Sequence, residues 1–332
     1  MGKKKIAVIY GGMSTEHDVS IQSGKSIVAN LNKETYDVVE IYIDKSGNWF
    51  CNEEKIENVI EYLKTFDVAF PVLHGLYGED GTIQGLFELI KLPYVGCKVL
   101  SSAVAMDKVF ANIMFKEAGI KKCKYIYIKN TNDKYRYKEN DYTLEEVGSV
   151  IEKELGYPNF VKPSNSGSSV GINKSNGLEE LKNNIEYVVQ FDKKILIEEA
   201  VEGREIECAV LGWANPEASV LGEIVPAAEF YSYEAKYADE ESKLIIPAEL
   251  PEELSNQIRE IAIKAYKSID CSGLARVDFF LDKKTGEILL NEINTMPGFT
   301  KISMYPKLWE NTGVPYSELL QKLIEFELLS SS

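Results

Sequence analysis

Residues 5–10 form an apolar strand pattern, unbroken from Ile6 to Tyr10, that stops at Gly11-Gly12. A run of that length closed by a glycine turn reads as a buried strand. A helical spacing follows over about 16–31. Apolar runs come next at Val38–Ile43 and Val68–Leu73, then a helical pattern near 82–91 and a short strand at Tyr94-Val95-Gly96. Strands alternating with helices predict a parallel sheet with crossovers, Rossmann-like in layout. Ligands of such sheets bind beyond the carboxyl ends of the strands. Gly11–Glu16 and His74–Asp80 fall there.

The texture changes near Ser101. A helix over 103–118 leads to a strand at Lys124–Ile128, and a polar Tyr/Lys/Asn-rich stretch covers 129–142. A helix over about 143–155, a strand at Tyr157–Lys162, a helix over 178–190 and a strand at Ile195–Ile197 complete a small α+β unit. A third region from about Glu198 carries strands at 205–211 and 219–225, a polar segment at 228–243 and a helix over 251–268. Last, apolar runs at 277–281 and 288–290 flank Asp282-Lys283-Lys284-Thr285-Gly286, the pattern of a β-hairpin. There is no internal repeat and no low-complexity tract.

That hairpin brings in chemistry. Folding it about Thr285 sets Asp278 opposite Glu292 and Arg276 opposite Asn294, all on one face. Opposed residues lie about 5 Å apart at Cβ. Two carboxylates that close repel unless a cation separates them, and an all-oxygen set suits Mg²⁺. The competing reading is a solvated hairpin end with an Arg–carboxylate pair.

Composition narrows the choices. The chain has 332 residues, enough for two or three domains, and a net charge of −15. That charge argues against nucleic-acid or anionic-membrane binding, which need a basic footprint. The five cysteines are scattered without CxxC spacing, and only His17 and His74 are histidines, so disulfide, zinc and histidine-rich metal sites are not expected. The basic, then apolar N-terminus superficially resembles a signal peptide, but its apolar run is too short and Gly11-Gly12 follows at once. Ile6 stands where a myristoylation motif needs Ser or Thr. No stretch could span a bilayer. A soluble cytoplasmic protein is the expectation.

Several segments could bind ligands. Lys162-Pro-Ser-Asn-Ser-Gly-Ser-Ser-Val-Gly171 follows a strand. Its small residues leave N–H groups and hydroxyls free to surround phosphate, with Lys162 as a compact charge, although many Ser/Gly loops do nothing of the kind. Gly24-Lys25-Ser26 is a decoy, because the earlier glycine of a Walker A motif is replaced by Val19. Gly11-Gly12 likewise lacks a dinucleotide fingerprint. The strand from Ile195 ends in carboxylates; Glu198 and Glu205 could accept hydrogen bonds from adenine or ribose, but spacing alone favours a solvated acidic edge. Phe230–Tyr237, with three tyrosines and one lysine, reads as a lid or a hydrophobic flap.

In order along the chain, these segments resemble the D-alanine–D-alanine ligase family of the ATP-grasp superfamily. The matching stretches are Gly11-Gly-Met-Ser-Thr-Glu-His17, His74-Gly…Gly-Glu-Asp-Gly81, Met106-Asp-Lys108, Lys162…Gly-Ser-Ser-Val-Gly171, Tyr233-Glu-Ala-Lys-Tyr237, Gly273-Leu-Ala-Arg-Val-Asp278 and Asn291-Glu-Ile-Asn-Thr-Met-Pro-Gly-Phe-Thr300. The resemblance implies a three-domain ATP-grasp fold of α/β and α+β class: a Rossmann-like parallel-sheet domain at 1–102, a central subdomain at 103–197, and a C-terminal subdomain at 198–332 with a flap loop at 228–247.

It also implies site residues. Lys108 and Lys162 would contact ATP phosphates and Lys236 the γ-phosphate. Glu198 and Glu205 would read adenine and ribose, with backbone near Ala200 and Val201 lining the adenine slot. Asp278, Glu292 and Asn294 would bind two Mg²⁺, or Mn²⁺. Glu16 would anchor the first D-alanine and join Ser168 and Tyr237 in a triad closing the flap, with His74 beside that substrate. Arg276 and the Gly298 N–H would form an oxyanion hole, and Ser303 would hold the second carboxylate. The implied reaction is ATP-dependent ligation of two D-alanines through an acyl phosphate, in a cytosolic homodimer supplying peptidoglycan precursors. D-alanyl-D-serine or D-alanyl-D-lactate synthesis, or a non-catalytic nucleotide module, are the alternatives. Tyr237 stands where lactate-type relatives have His. The Gly-Ser-Ser-Val-Gly loop with Val170 looks like the housekeeping type.

Overall fold

The computed structural model describes residues 2–167, 171–225 and 243–330. Three sheets organise them.

In the first, β1 (Lys4–Gly11), β2 (Tyr36–Ile43) and β5 (Val68–Pro71) run parallel, and β3 (Trp49–Cys51) and β4 (Glu54–Lys55) extend the β2 edge antiparallel, giving the order β4-β3-β2-β1-β5. Ile6–Gly11 of β1 and all of β5 are buried, as expected where helices cover both faces of a parallel sheet. Helices α1 (His17–Asn30), α2 (Val59–Leu63) and α3 (Thr82–Ile90) connect the strands. The Tyr94–Gly96 strand reduces to one parallel bridge, Ala69 to Tyr94.

The helix expected over 103–118 is two helices, α4 (Val99–Met106) and α5 (Lys108–Glu117). Asp107 breaks it with an extended backbone, φ −83° and ψ 95°. Its carboxylate accepts the N–H groups of Val109 (3.1 Å) and Phe110 (3.2 Å), an N-cap that satisfies donors a continuous helix would have bonded internally. The same carboxylate accepts Ser164 Oγ at 2.6 Å and pairs with Lys194. Tertiary partners therefore fix the break, and they lie well outside any helical window.

The second sheet has the order β10-β9-β11-β6-β7-β8, all antiparallel: β6 (Tyr125–Asn130), β7 (Tyr135–Tyr137), β8 (Asn140–Tyr142), β9 (Asn159–Pro163), β10 (Asn173–Ser175) and β11 (Lys194–Glu199). The polar stretch 129–142 thus contains a small hairpin, pinned by Arg136 donating to both Asp141 carboxylate oxygens at 2.8 Å. Helices α6 (Leu144–Glu154) and α7 (Leu178–Val188) cover one face, burying Val147, Ile151, Leu181 and Ile185 against Val161 and Ile195 in a separate core. β11 continues through Glu199, two residues past the division expected at 197/198.

The third sheet has the order β14-β13-β12-β15-β16: β12 (Gly203–Leu211), β13 (Glu217–Val225), β14 (Lys243–Ile245), β15 (Leu274–Asp282) and β16 (Ile288–Asn294). Helix α8 (Glu252–Ser268) packs on it, and α9 (Met304–Thr312) and α10 (Tyr316–Ser330) close the chain. The largest core joins the first and third sheets: Ile6, Val8 and Phe70 share it with Ala209, Leu274, Phe299, Tyr305 and Trp309.

Candidate active site

The β15–β16 hairpin forms with the expected facing pairs, Arg276 with Asn294 and Asp278 with Glu292. The register is not uniform, however. Near the turn Phe279 faces Leu290, so Asn291 is one extra residue, a β-bulge in β16. Without it the alternation would set Asn291 opposite Asp278 and turn Glu292 and Asn294 to the other face. At the turn, Asp282 accepts the N–H groups of Lys284 (2.8 Å) and Thr285 (2.7 Å).

Arg276 grips Asp278 with both arms, Nε to Oδ1 at 2.8 Å and Nη2 to Oδ2 at 2.7 Å, and its Nε also lies 3.0 Å from Glu207 on β12. Asn294 Nδ2 donates to Asp278 Oδ2 at 3.0 Å. The Arg–carboxylate pair of the competing reading is therefore present, but Asp278 and Glu207 are buried rather than solvated. Two carboxylates, Glu207 and Asp278, share one guanidinium here, and Glu292 faces Asp278 across the ladder. Buried like charges in that ratio favour a bound cation, and the oxygen donors fit a hard one. No group of three or more His, Cys, Asp or Glu side chains that could by itself hold a metal occurs among the described residues. Two carboxylates, an amide and ligand oxygens would be the donor set.

Across the cleft stand lysines. The Asp107 break places Lys108 in the first turn of α5, where Nζ donates to the Ser166 carbonyl at 2.5 Å. Lys162, half-buried on β9, pairs with buried Glu198 on the neighbouring β11 at 2.7 Å. Asn112 Nδ2 donates to the other Glu198 oxygen at 3.4 Å. Burial alone would raise the Glu198 pKa, but the ammonium groups of Lys162 and Lys122 outweigh it and hold the carboxyl at about 2. One cavity is lined by Lys108, Ser166, Gly167, Glu79, Glu292 and Asn294, and a second, sharing Lys108 and Glu292 with it, by Asn112, Lys122, Lys162 and Glu198. Glu205 is half-buried on β12, and the Ala200 N–H donates to the Pro158 carbonyl at 3.0 Å, with half-buried Val201 next in the chain.

The third wall comes from the first sheet. Glu16 caps α1 and is buried. Its Oε2 lies so close that a Cβ on Gly75 would meet it at 2.5 Å and one on Gly167 at 2.7 Å. Glycine at both positions leaves room for that carboxylate. Both ring nitrogens of buried His74 are engaged: Nδ1 donates to the Met296 carbonyl at 3.0 Å, and Nε2 accepts from Ser23 Oγ at 3.1 Å. Burial lowers its pKa, which keeps it neutral as those bonds require. Ser23 Oγ also accepts the Phe299 N–H at 3.1 Å, so His74 and Ser23 tie the 296–299 turn to the first sheet. In that turn, a Cβ on Gly298 would meet Ser303 Oγ at 2.7 Å, and Ser303 Oγ accepts the Thr300 N–H at 2.9 Å. Ser168, Lys236 and Tyr237, with 228–242 of the flap, lie outside the described residues.

Four residues given no role from the sequence prove to belong here: Glu79, Asn112, Lys122 and Glu207. Glu79 is the most informative. Its carboxylate accepts the Gly75 N–H at 2.7 Å and the Met296 N–H at 3.0 Å. Burial, with Glu16 and Glu292 nearby, pushes its pKa up to about 8. Its one sequence signal was its place in Gly78-Glu-Asp-Gly81; a partner 217 residues away leaves no local trace.

Three sheets in this arrangement, with a cleft between the second and third, make an ATP-grasp fold. A family model described as D-ala D-ala ligase C-terminus matches residues 114–325, and its counterpart, D-ala D-ala ligase N-terminus, matches 5–61 and 52–97. The chain belongs to the D-alanine–D-alanine ligase family. Among its relatives, the D-alanine–D-alanine ligase of Clostridium acetobutylicum is 50% identical over 341 residues, covering 97% of both chains. That of Acetivibrio thermocellus is 48% identical over 365 residues, covering 97% of this chain and 95% of its own. Of solved structures, a D-Ala:D-Ser ligase from Enterococcus faecalis matches with TM-score 0.86 at 37% identity, covering 98% of this chain and all of its own. The D-alanine–D-alanine ligase from Coxiella burnetii matches with TM-score 0.85 at 35% identity, covering 100% and 95%.

Proposed function

We propose that this protein joins two D-alanines into D-alanyl-D-alanine at the expense of ATP, by way of an acyl phosphate, to supply peptidoglycan precursors. The observation that carries this reading is the cleft itself, with Lys108 and Lys162 on one wall and Glu292 and Asn294 on the other. Near-half identity to named D-alanine–D-alanine ligases along the whole chain supports the choice of substrate.

The residue roles are those the family resemblance implies. Lys108 and Lys162 meet the ATP phosphates, and Lys236 reaches the γ-phosphate. Glu198 and Glu205, with backbone at Ala200 and Val201, receive the nucleoside. Glu198, already paired with Lys162, does so as part of a fixed ion pair. Asp278, Glu292 and Asn294 would hold two Mg²⁺, or Mn²⁺, and the bound metal would supply charge neutralisation to the transferring phosphate. Glu16 takes the ammonium of the first D-alanine and, with Ser168 and Tyr237, closes the flap. His74 acts on that substrate's surroundings by fixing the 296–299 turn. Arg276 and the Gly298 N–H stabilise the oxyanion of the tetrahedral intermediate; one such donor contributes roughly 3 kcal/mol. Ser303 holds the second carboxylate. Water exclusion by the closed flap protects the acyl phosphate. The assignment divides the chain at 102/103 and 197/198 and describes a cytosolic homodimer. No helix among the described residues is long and apolar enough to cross a membrane.

A coupled ADP-release assay with D-alanine and Mg²⁺–ATP tests the reaction, and absence of D-alanine-dependent turnover would sink it. The likeness to the D-Ala:D-Ser ligase gives the second reading. Product analysis with D-serine and D-lactate competing against D-alanine decides it, and D-alanyl-D-alanine is the expected main product.

A further inference from the structure

Lys122 lines the cleft and has no part in the scheme above. It sits in 121–124, a segment that passes from the outer edge of β16 to the end of β11. The Leu290 N–H donates to the Lys121 carbonyl at 2.9 Å, Lys122 Nζ donates to the Asn291 carbonyl at 2.5 Å, and the Lys124 N–H donates to the Glu199 carboxylate at 2.7 Å. β16 is the last strand of its sheet, so this edge would otherwise offer unpaired backbone groups.

The Lys122 contact falls on the bulge. Asn291 is the extra residue there, and a bulge leaves its extra residue outside the ladder. Its carbonyl is taken by the lysine instead. Register on either side differs by one, and the side chains that depend on the bulge are Glu292 and Asn294. Lys122 shares a cavity with Lys162, Glu198 and Glu292, and its ammonium lies 5.8 Å from the centre of the Phe115 ring. Burial lowers its pKa, opposed by the Glu198 and Glu292 carboxylates. Capping one carbonyl with a buried ammonium is costly unless the charge is also used.

We propose that Lys122 is a positioning residue for the metal side of the cleft: it holds the β16 bulge, and thereby sets Glu292 and Asn294 on the face of Asp278. This rests on reading the cleft as a Mg²⁺–nucleotide site. Lys122→Met keeps the aliphatic stem and removes the donor, whereas Lys122→Arg keeps a charged donor. The measurements are calorimetric binding of ADP with and without Mg²⁺, and backbone hydrogen exchange over 290–294.

In K122M, the Kd for Mg²⁺–ADP should rise about tenfold, the loss of one charge-assisted hydrogen bond. Metal-free ADP should change by less than about threefold, since phosphate contacts remain in place. Exchange at 290–294 should quicken, D-alanine KM should stay unchanged, and K122R should restore most of the Mg²⁺ effect. Equal weakening of metal-free and Mg²⁺-loaded ADP would make Lys122 a plain phosphate-binding cation and overturn the proposal. So would wild-type exchange at 290–294 in K122M. A wild-type chain that binds no Mg²⁺–ADP defeats the nucleotide reading instead, and the exchange comparison then decides alone whether Lys122 holds the bulge.

Discussion

Two buried charge clusters face each other across the cleft, and they are built oppositely. On one wall Lys162 and Lys122 more than offset Glu198, which therefore stays ionised far below the ordinary carboxylate range. On the other, Arg276 is shared by Glu207 and Asp278, Glu292 faces Asp278 across the ladder, and Glu79 nearby is pushed up to about 8. Burying a charge is tolerable when its partner is in place and costly when it is not. The first cluster meets that condition within the protein before any ligand arrives. The second does not, and a ligand cation would offset its surplus negative charge. Imbalance, more than the mere presence of carboxylates, distinguishes the wall proposed to hold the metal.

Removing a carboxylate from the unbalanced wall is the severest test. Asp278→Asn should lower turnover by about a hundredfold or more, because a metal-site oxygen and the Arg276 fork are lost together. Folded-state stability should hold or rise as repulsion eases. Unchanged activity across Mg²⁺ concentrations would remove the metal from this wall.

The balanced wall should answer in stability. Lys162→Met leaves Glu198 buried beside Lys122 alone, and denaturant unfolding should show a loss of about 3–5 kcal/mol at neutral pH. The pH dependence has a definite sign. Because Glu198 has its folded pKa depressed from 4.5 to about 2, its contribution is present above pH 4.5 and is lost as pH falls from there toward 2. A variant with unchanged acid sensitivity would show the pair to be energetically idle.

Glu79 should behave in the opposite way. With its folded pKa raised from 4.5 to about 8, the folded ligand-free chain keeps a proton that the unfolded chain has released. Stability therefore falls as pH rises across that window. Glu79→Gln should flatten this fall, and saturating Mg²⁺–nucleotide should do so in the wild type. An identical slope in variant and wild type would contradict the assignment.

The smallest effect belongs to the helix break. Asp107→Ala removes an N-cap together with the Ser164 and Lys194 contacts and should cost at least about 1–2 kcal/mol, read as a fall in Tm. A rise in Tm would mean that α4 and α5 prefer to join.

Much of this was legible from local pattern. The β15–β16 hairpin was readable because its turn chemistry is local: Asp282 to Gly286 names the bend, and alternation fixes which side chains share a face. Folding about Thr285 even gave the correct facing of Asp278 and Glu292, but only because the bulge at Asn291 corrects a turn centred half a residue away. The parallel strands were readable as apolar runs. The Asp107 break was not, because helix propensity over 103–118 is satisfactory and Ser164 and Lys194 decide otherwise. The 129–142 hairpin was hidden for a related reason: its strands are three residues long and polar.

The sequence by itself therefore determined the elements whose partners lie a few residues away, and the motifs that tie the chain to its family. Tertiary structure alone decided which buried groups meet. His74 to Met296, Glu79 to Met296, Lys122 to Asn291 and Arg276 to Glu207 each join separate elements. The physical reason is that a buried polar group must find a partner wherever the packed chain offers one. Sequence distance does not constrain that search, and the charge balance of each wall, on which ligand binding depends, emerges only once the three sheets have closed around the cleft.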